Sequence, residues 1–407
     1  MLNWVKRFNI FCLLDNCHYH FDEPAFECLL AAGATHRLEM PAGKTFSALK
    51  DFYNVHKGWL FGHFGYDLKN EVEQLKSSNF DGIGFSDLHF FVPQIVLQLN
   101  EKQVTIFYSG NAQTIFDAIN FTSIKEENQP ASFEIKNRIA KEDYIAIVKK
   151  IQQHILRGDC YELNFCQEFY AENVEINPLT VYQKLTELSP NPFSSLYKVD
   201  NNYCICASPE RYLKKNGMKI FSQPIKGTSG RNLFDKYIDE KNKQLLSNSS
   251  KEKSENVMVV DLVRNDLSKI CKEATVKVDE LFGVYSFPQV HQMISTISGE
   301  IKDGLHWVDA VKATFPMGSM TGAPKKRVME LIEQYEQTRR GLFSGSIGHV
   351  NPAGDFDFNV VIRSILYNAD NKYLSFQTGG AITFYSDAEE EYNETLLKAQ
   401  AIKNVLK

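Results

Sequence analysis

A chain of 407 residues with a net charge of −5 and 23% charged residues has the material for a large core and none of the bias of a disordered or fibrous protein. Its charges of both signs are interspersed, which excludes the basic stripe that binding to a nucleic-acid backbone requires. No apolar run approaches the roughly 20 residues of a membrane helix, and the run Ile10 to Leu14 stops at Asp15 and Asn16 before it reaches signal-peptide length. The eight cysteines follow no metal-ligand spacing, so the expectation is a cytoplasmic protein with reduced thiols.

The first third reads as strand-rich. Phe52 to Leu68 is aromatic and glycine-rich, and Gln94 to Tyr108 alternates around a turn near Asn100 as a hairpin does. Lys125 to Ser132 is polar and aperiodic, which predicts a boundary between an N-terminal subdomain, 1–132, and a catalytic domain, 133–407. Tyr144, Ile147, Val148, Ile151 and Ile155 then follow helical spacing up to Arg157-Gly158, where glycine suits the end of a helix. Tyr203 to Ile220 reads as two strands joined by Asn216-Gly217. Pairing of Lys215 with Met218 would set Lys226 opposite Ala207 and Glu210 opposite Gln223, with breaks at Pro209 and Pro224 bringing Glu210 and Lys226 together. Further helices are expected at about Ser250 to Ile270, Pro324 to Gln337 and Asp387 to Leu406.

Several residues on these elements have chemical potential. Lys226 follows a strand in a tight turn, where burial would push an ammonium toward its neutral, nucleophilic form, although spacing alone favours a solvated lysine. Glu252 with Glu255, and Glu391 with Glu394, stand one turn apart on two helices, and facing helices of this kind clamp a hard cation; oxygen-only ligands suit Mg²⁺. A charged, solvated helix face is the commoner meaning of that pattern. Gly318 to Lys325 is a polar loop feeding a helix with proline in its first turn, a place where backbone N–H groups receive anions. Gly379-Gly380-Ala381 follows a strand, where glycine lets a backbone approach a carboxylate. His291 is a possible donor to a substrate oxygen, though a lone histidine is more often structural. Arg363, on the apolar run Val360 to Arg363, needs an anion to hold.

Taken together and in order, these strings resemble the chorismate-utilising enzyme family, whose members include anthranilate, aminodeoxychorismate, isochorismate and salicylate synthases. The resemblance runs from about Asp143 to the C-terminus. It is carried by Gly158-Asp159-Cys160-Tyr161, Ala207 to Arg211, Ser254-Glu255-Asn256 with Val260 to Asp266, Thr321 to Lys325, and Glu391 to Thr395. Gly58 to Leu68 is similar to the family's N-terminal Gly-Tyr-x-x-Tyr-Asp stretch in looser form. The resemblance implies a mixed α/β fold of two packed antiparallel β-sheets wrapped by helices, with chorismate in a central cleft and Mg²⁺ on its ring carboxylate. It implies Glu255 and Glu394 as Mg²⁺ ligands with Glu252 and Glu391 beside them, and Glu210 as the general acid at the C4 hydroxyl. Arg363 with the backbone at Gly379 and Gly380 would hold the enolpyruvyl carboxylate, and Thr321, His291 and Phe343 would line the pocket.

Lysine at position 226 resembles the aminodeoxychorismate branch, since anthranilate synthases usually have alanine there. In that branch the lysine attacks C2, the C4 hydroxyl leaves, and ammonia then displaces the lysine by attack at C4. The chain contains no cysteine, histidine and acid arranged like an amidotransferase, so ammonia is expected from a separate glutaminase subunit. Anthranilate synthesis, or a non-catalytic chorismate-binding subunit, are the alternatives. Three positions depart from the family pattern: Glu162 where aminating members usually have glutamine, Phe343 where many have tyrosine, and Ala381 where many have glycine.

Overall fold

The computed structural model describes residues 1–19, 27–122 and 133–407. Nineteen strands among the described residues form one hydrogen-bonded sheet, and eleven α-helices pack around it. The ladder starts at the strand Glu162–Ala171 and passes in order through Tyr373–Ile382, Ser364–Asn368, Asn202–Ser208, Phe193–Val199, Ile10–Asp15 and Cys28–Met40. It continues through Leu88–Asn100, Leu60–Phe64, Ser346–Val350, Phe356–Asn359, Arg211–Asn216, Lys219–Gln223 and Val290–Glu300 to Lys277–Ser286. Every one of these neighbours is antiparallel.

The two expected sheets are thus the two halves of one ladder, joined through the long strands Cys28–Met40 and Leu88–Asn100. Their pairing shifts register between Ala34 and His36, and such a bulge adds the local twist with which a sheet can turn back on itself. The largest buried cluster draws on both halves, with Tyr197, Cys204 and Leu366 from one and Phe61, Phe64, Phe90 and Leu213 from the other. Burying that much aromatic and aliphatic surface is the main force holding the layers together. A second cluster covers the far side of the first half, where Phe169, Leu196, Ile205 and Leu374 meet Leu179, Tyr182 and Leu185 of the helix Pro178–Leu188 and Ala399, Ile402 and Val405 of the helix Ala388–Leu406.

Local signals explain most elements. The helix Lys141–Leu156 buries Tyr144, Val148 and Ile151 and stops before Gly158, whose φ of 82° is one that L side chains rarely adopt. The hairpin Leu88–Asn100 and Gln103–Tyr108 turns at Asn100, whose carbonyl oxygen Oδ1 accepts from the N–H groups of Lys102 and Gln103. Asp387 caps the last helix by accepting from Glu389 and Glu390. The polar segment Lys125 to Ser132 lies outside the described residues. Around it, Ile10–Asp15 pairs with Phe193–Val199 and Leu60–Phe64 with Ser346–Val350, so residues before and after it share the sheet.

Candidate active site

The hairpin register differs from the expected one. Asn216 pairs with Lys219, leaving Gly217 and Met218 as the turn. Gly217 takes the positive φ of 59°, and Asp355 Oδ1 accepts from its N–H at 2.9 Å and from Lys215 Nζ at 2.7 Å, which pins the turn one step beyond Asn216. A register shift between Arg211 and Lys214 then sets Arg211, not Glu210, opposite Gln223. The proline breaks occur where expected: Pro209 separates the strand Asn202–Ser208 from Arg211–Asn216, and Pro224 separates Lys219–Gln223 from Ile225–Gly230. This last strand pairs with Val290–Glu300 but slips register between Ile225 and Thr228, at Lys226 and Gly227. Both candidate catalytic residues thus sit at interruptions of the sheet, where their side chains escape strict alternation.

Lys226 is 12% exposed and donates from Nζ to Glu162 Oε1 at 2.7 Å. The second oxygen, Glu162 Oε2, is buried without a hydrogen-bond partner among the described residues. Burial alone lowers the lysine's proton affinity, but the carboxylates of Glu162, Glu255 and Glu210 more than offset it and hold the ammonium above its ordinary range. The depression expected from burial is therefore reversed by charge in this arrangement. Glu210 is 4% exposed. Its burial pushes the carboxyl up to about 7, against the pull of the Ser319 hydroxyl, Lys226, the Ile225 N–H and Arg363. A carboxyl that holds its proton near neutrality can serve as a general acid.

The paired glutamates flank this centre. The helix Ser250–Ile270 starts at Ser249, whose hydroxyl accepts from Glu252 N, and its first turns pack on Gly227. A Cβ at Gly227 would stand 3.0 Å from Glu252 Oε2, so glycine permits that approach. Burial drives Glu255 up to about 7; Lys226 pulls it down while Glu162 and Glu252 raise it further. Glu252 and Glu391 are raised first by burial and also by the charge of Glu394. Glu394 is 50% exposed and pairs with Lys398 at 2.7 Å; although burial raises it, Lys398 outweighs burial and holds it below its usual range.

Gly379 and Gly380 lie inside the strand Tyr373–Ile382 rather than after it, paired with Cys166 and Phe165. Their role is close approach: a Cβ at Gly379 would meet Phe165 O at 2.1 Å, and one at Gly380 would meet Glu391 Oε2 at 2.9 Å. Thr321 is buried and donates to Met317 O and Gly318 O. The following Gly322-Ala323 pairs with Leu163-Glu162, so the loop's backbone is stapled to the strand that carries Glu162, and Pro324 stands just before the helix Lys325–Tyr335 rather than in its first turn.

Arg363 precedes the strand Ser364–Asn368 at a φ of 50° instead of lying within a strand. The adjoining Val360 N–H donates to Glu210 O at 3.0 Å, which brings the segment beside the acid. The guanidinium has no hydrogen-bond or ion-pair partner among the described residues, and burial lowers it to about 10 against the pull of Tyr19 and Glu210. His291 is buried with both ring nitrogens engaged, Nδ1 with Ser286 Oγ at 2.9 Å and Nε2 with Asp239 Oδ1 at 3.1 Å. Phe343 is part of the main apolar cluster.

Sequence reasoning marked Glu162 only as a departure and Ser319 only as part of the polar loop Gly318 to Lys325, and missed Tyr19 and Lys398. The spacing of Glu394 and Lys398, four residues apart on one helix, was a usable signal. Nothing local marks Tyr19, and nothing local ties Ser319 to Glu210, because only the folded chain brings their charges and hydroxyls to bear on Arg363 and Glu210.

As placed, no three acidic, histidine or cysteine side chains among the described residues stand close enough to hold a metal ion. The donor chemistry nevertheless suits a hard cation. Burial first, and repulsion between carboxylates second, raise Glu252, Glu255 and Glu391, and a cation's charge would oppose both; Mg²⁺ commonly takes one or two carboxylates and completes its shell with water or substrate oxygens.

A sequence model described as chorismate binding enzyme matches residues 11–404. Aminodeoxychorismate synthase component 1 of Escherichia coli K12 is 33% identical over 351 residues, 85% of this chain and 76% of that protein. Anthranilate synthase component 1 of Cereibacter sphaeroides is 29% identical over 418 residues, 95% of this chain and 81% of that one. Among solved structures, anthranilate synthase component I from Streptococcus pneumoniae TIGR4 superimposes with a TM-score of 0.82 at 26% identity, covering 95% of this chain and 94% of the other.

Proposed function

The chain belongs to the chorismate-binding enzyme family, and from that premise we propose that it aminates chorismate at C4, the activity of an aminodeoxychorismate synthase component I. The observation that carries this reading is the buried Lys226 in one electrostatic cluster with a protonatable Glu210. Lys226 first gives up a proton, for which Glu162 Oε1 at 2.7 Å is the acceptor in place. Nζ then bonds to C2, the ring double bonds shift, and the C4–O bond breaks as Glu210 supplies the proton that makes water the leaving group. Ammonia attacks C4, the double bonds shift back, and the C2–Nζ bond breaks with its electron pair returning to lysine. Arg363, a cation without an ion-pair partner among the described residues, is the natural holder of a substrate carboxylate.

Glu255 and Glu394, with Glu252 and Glu391 beside them, would hold Mg²⁺, which supplies positive charge for the ring carboxylate. Ammonia would come from a separate glutaminase subunit. The eight free cysteines fit a reducing compartment, in keeping with the cytoplasm, and among the described residues no helix is long and apolar enough to cross a membrane.

The test is a product assay with chorismate, ammonium and Mg²⁺. Anthranilate is strongly fluorescent and 4-amino-4-deoxychorismate is not. A non-fluorescent aminated product, lost on addition of EDTA, is expected; anthranilate as the sole product overturns the branch assignment.

A further inference from the structure

Behind the candidate active site lies an ion pair that touches none of the proposed reacting groups. Arg340 is 2% exposed and forms a fork with Glu336, Nε to Oε2 at 2.9 Å and Nη2 to Oε1 at 2.7 Å. The guanidinium also reaches two separate stretches of backbone, with Nη1 donating to Met320 O and Nη2 to Asn164 O, both at 2.7 Å. Glu336 Oε1 in turn accepts from Cys166 N at 2.9 Å, and the ring of Tyr66 covers the guanidinium at 4.6 Å.

Those two stretches are adjoining segments of backbone that carry groups of the candidate site. Asn164 follows Glu162 by two residues on its strand, and Met320 stands between Ser319, whose hydroxyl acts on the Glu210 carboxyl, and Thr321. They are also joined directly, Asn164 N to Thr321 O at 2.9 Å and Asn164 Nδ2 to Ser319 O at 3.2 Å. A buried ion pair is weak as a source of stability, because desolvation offsets its attraction. Its planar fork is suited instead to fixing several acceptors at once, which a lysine's single ammonium cannot reproduce.

We propose that the Glu336–Arg340 pair is a positioning device for the reaction. It sets the strand that aims Glu162 at Lys226 against the turn that holds Ser319 beside Glu210, so that the proton acceptor for the lysine and the proton donor for the leaving hydroxyl keep a fixed separation. The pair acts through those backbone segments and contacts no substrate. This inference rests on the C4-amination reading only for the choice of reaction assayed.

The experiment compares wild type with Arg340→Lys and Arg340→Ala, using circular dichroism and melting to give the folded fraction. Because misplacing catalytic groups by about 1 Å can cost on the order of 10²-fold, kcat per folded molecule should fall at least about tenfold in Arg340→Lys and further in Arg340→Ala. KM for chorismate should stay within about threefold, since the substrate's own contacts remain. Guanidinium ion, added far below denaturing concentrations, should restore part of the Arg340→Ala rate by refilling the fork. Unchanged kcat per folded molecule in Arg340→Lys overturns the proposal, as does a loss of activity that only tracks the folded fraction. Should Arg340→Ala fail to fold, Arg340→Lys and Glu336→Gln decide the matter by the same split of kcat against KM. If wild type releases anthranilate, the proposed function fails while the kcat measured for that product still judges the positioning role.

Discussion

Replacing Glu210 with glutamine should make the enzyme more stable and far less active, with the stability gain depending on pH. Burial raises this carboxyl from its ordinary 4.5 to about 7. That difference corresponds to about 3 kcal/mol, to order of magnitude, at 1.36 kcal/mol for each tenfold change in proton affinity. The sign follows from proton counting. Below pH 4.5 the group is protonated in both folded and unfolded chains and contributes no difference. Between there and pH 7 the unfolded chain releases its proton while the folded chain keeps it, so stability falls as pH rises; above pH 7 the full penalty of a buried charge is present. Glu210→Gln has the same shape and cannot ionise, so the variant and wild type should melt together near pH 4.5, and the variant should melt a few degrees higher at pH 8. Without a proton donor at C4, turnover should fall by about 10²- to 10⁴-fold. Urea or thermal melts across this pH range, paired with the product assay, test the argument. Equal pH dependence of stability in the two proteins would show that Glu210 is not a buried, proton-holding carboxyl, and near-normal turnover would remove it as the acid.

Lys226→Ala deletes the nucleophile and leaves the carboxylates in place; C4 amination should fall by orders of magnitude, and wild type incubated with chorismate but no ammonia should show an adduct mass on the peptide containing Lys226. Wild-type formation of the C4 product by the variant, with no adduct in the parent, would refute the lysine's role. Glu255→Gln or Glu394→Gln should cripple turnover and weaken its response to added Mg²⁺ with the fold intact, and full activity in either rules out those ligands. Glu162→Gln keeps a hydrogen-bond acceptor for Lys226 but removes both its charge and the base proposed to take the lysine's proton, so maximal turnover should fall; with burial less opposed the lysine's proton affinity drops, and the rising limb of the remaining pH–rate profile should move to lower pH. An unmoved limb would mean that the 2.7 Å ion pair does not set the lysine's protonation.

The sequence alone determined the features that depend on near neighbours. Helical spacing and caps located Ser250–Ile270 and the helix after Asp387, and with them the two glutamate pairs, because residues three apart must share a helix face. Pro209 and Pro224 marked the breaks in the sheet because proline cannot donate to a ladder. The register at Gly217 was misjudged since a distant carboxylate, Asp355, decides it. The Gly379-Gly380 pair looked like a loop because its reason for being glycine, the nearness of Phe165 O and Glu391, is visible only across strands and helices. Arg363 looked like a strand residue, yet its backbone takes a positive φ beside Glu210. Tertiary structure also decided the protonation of Lys226. Burial and opposing charge act in opposite directions on an ammonium, and only the placement of Glu162, far away in the chain, tells which of them wins.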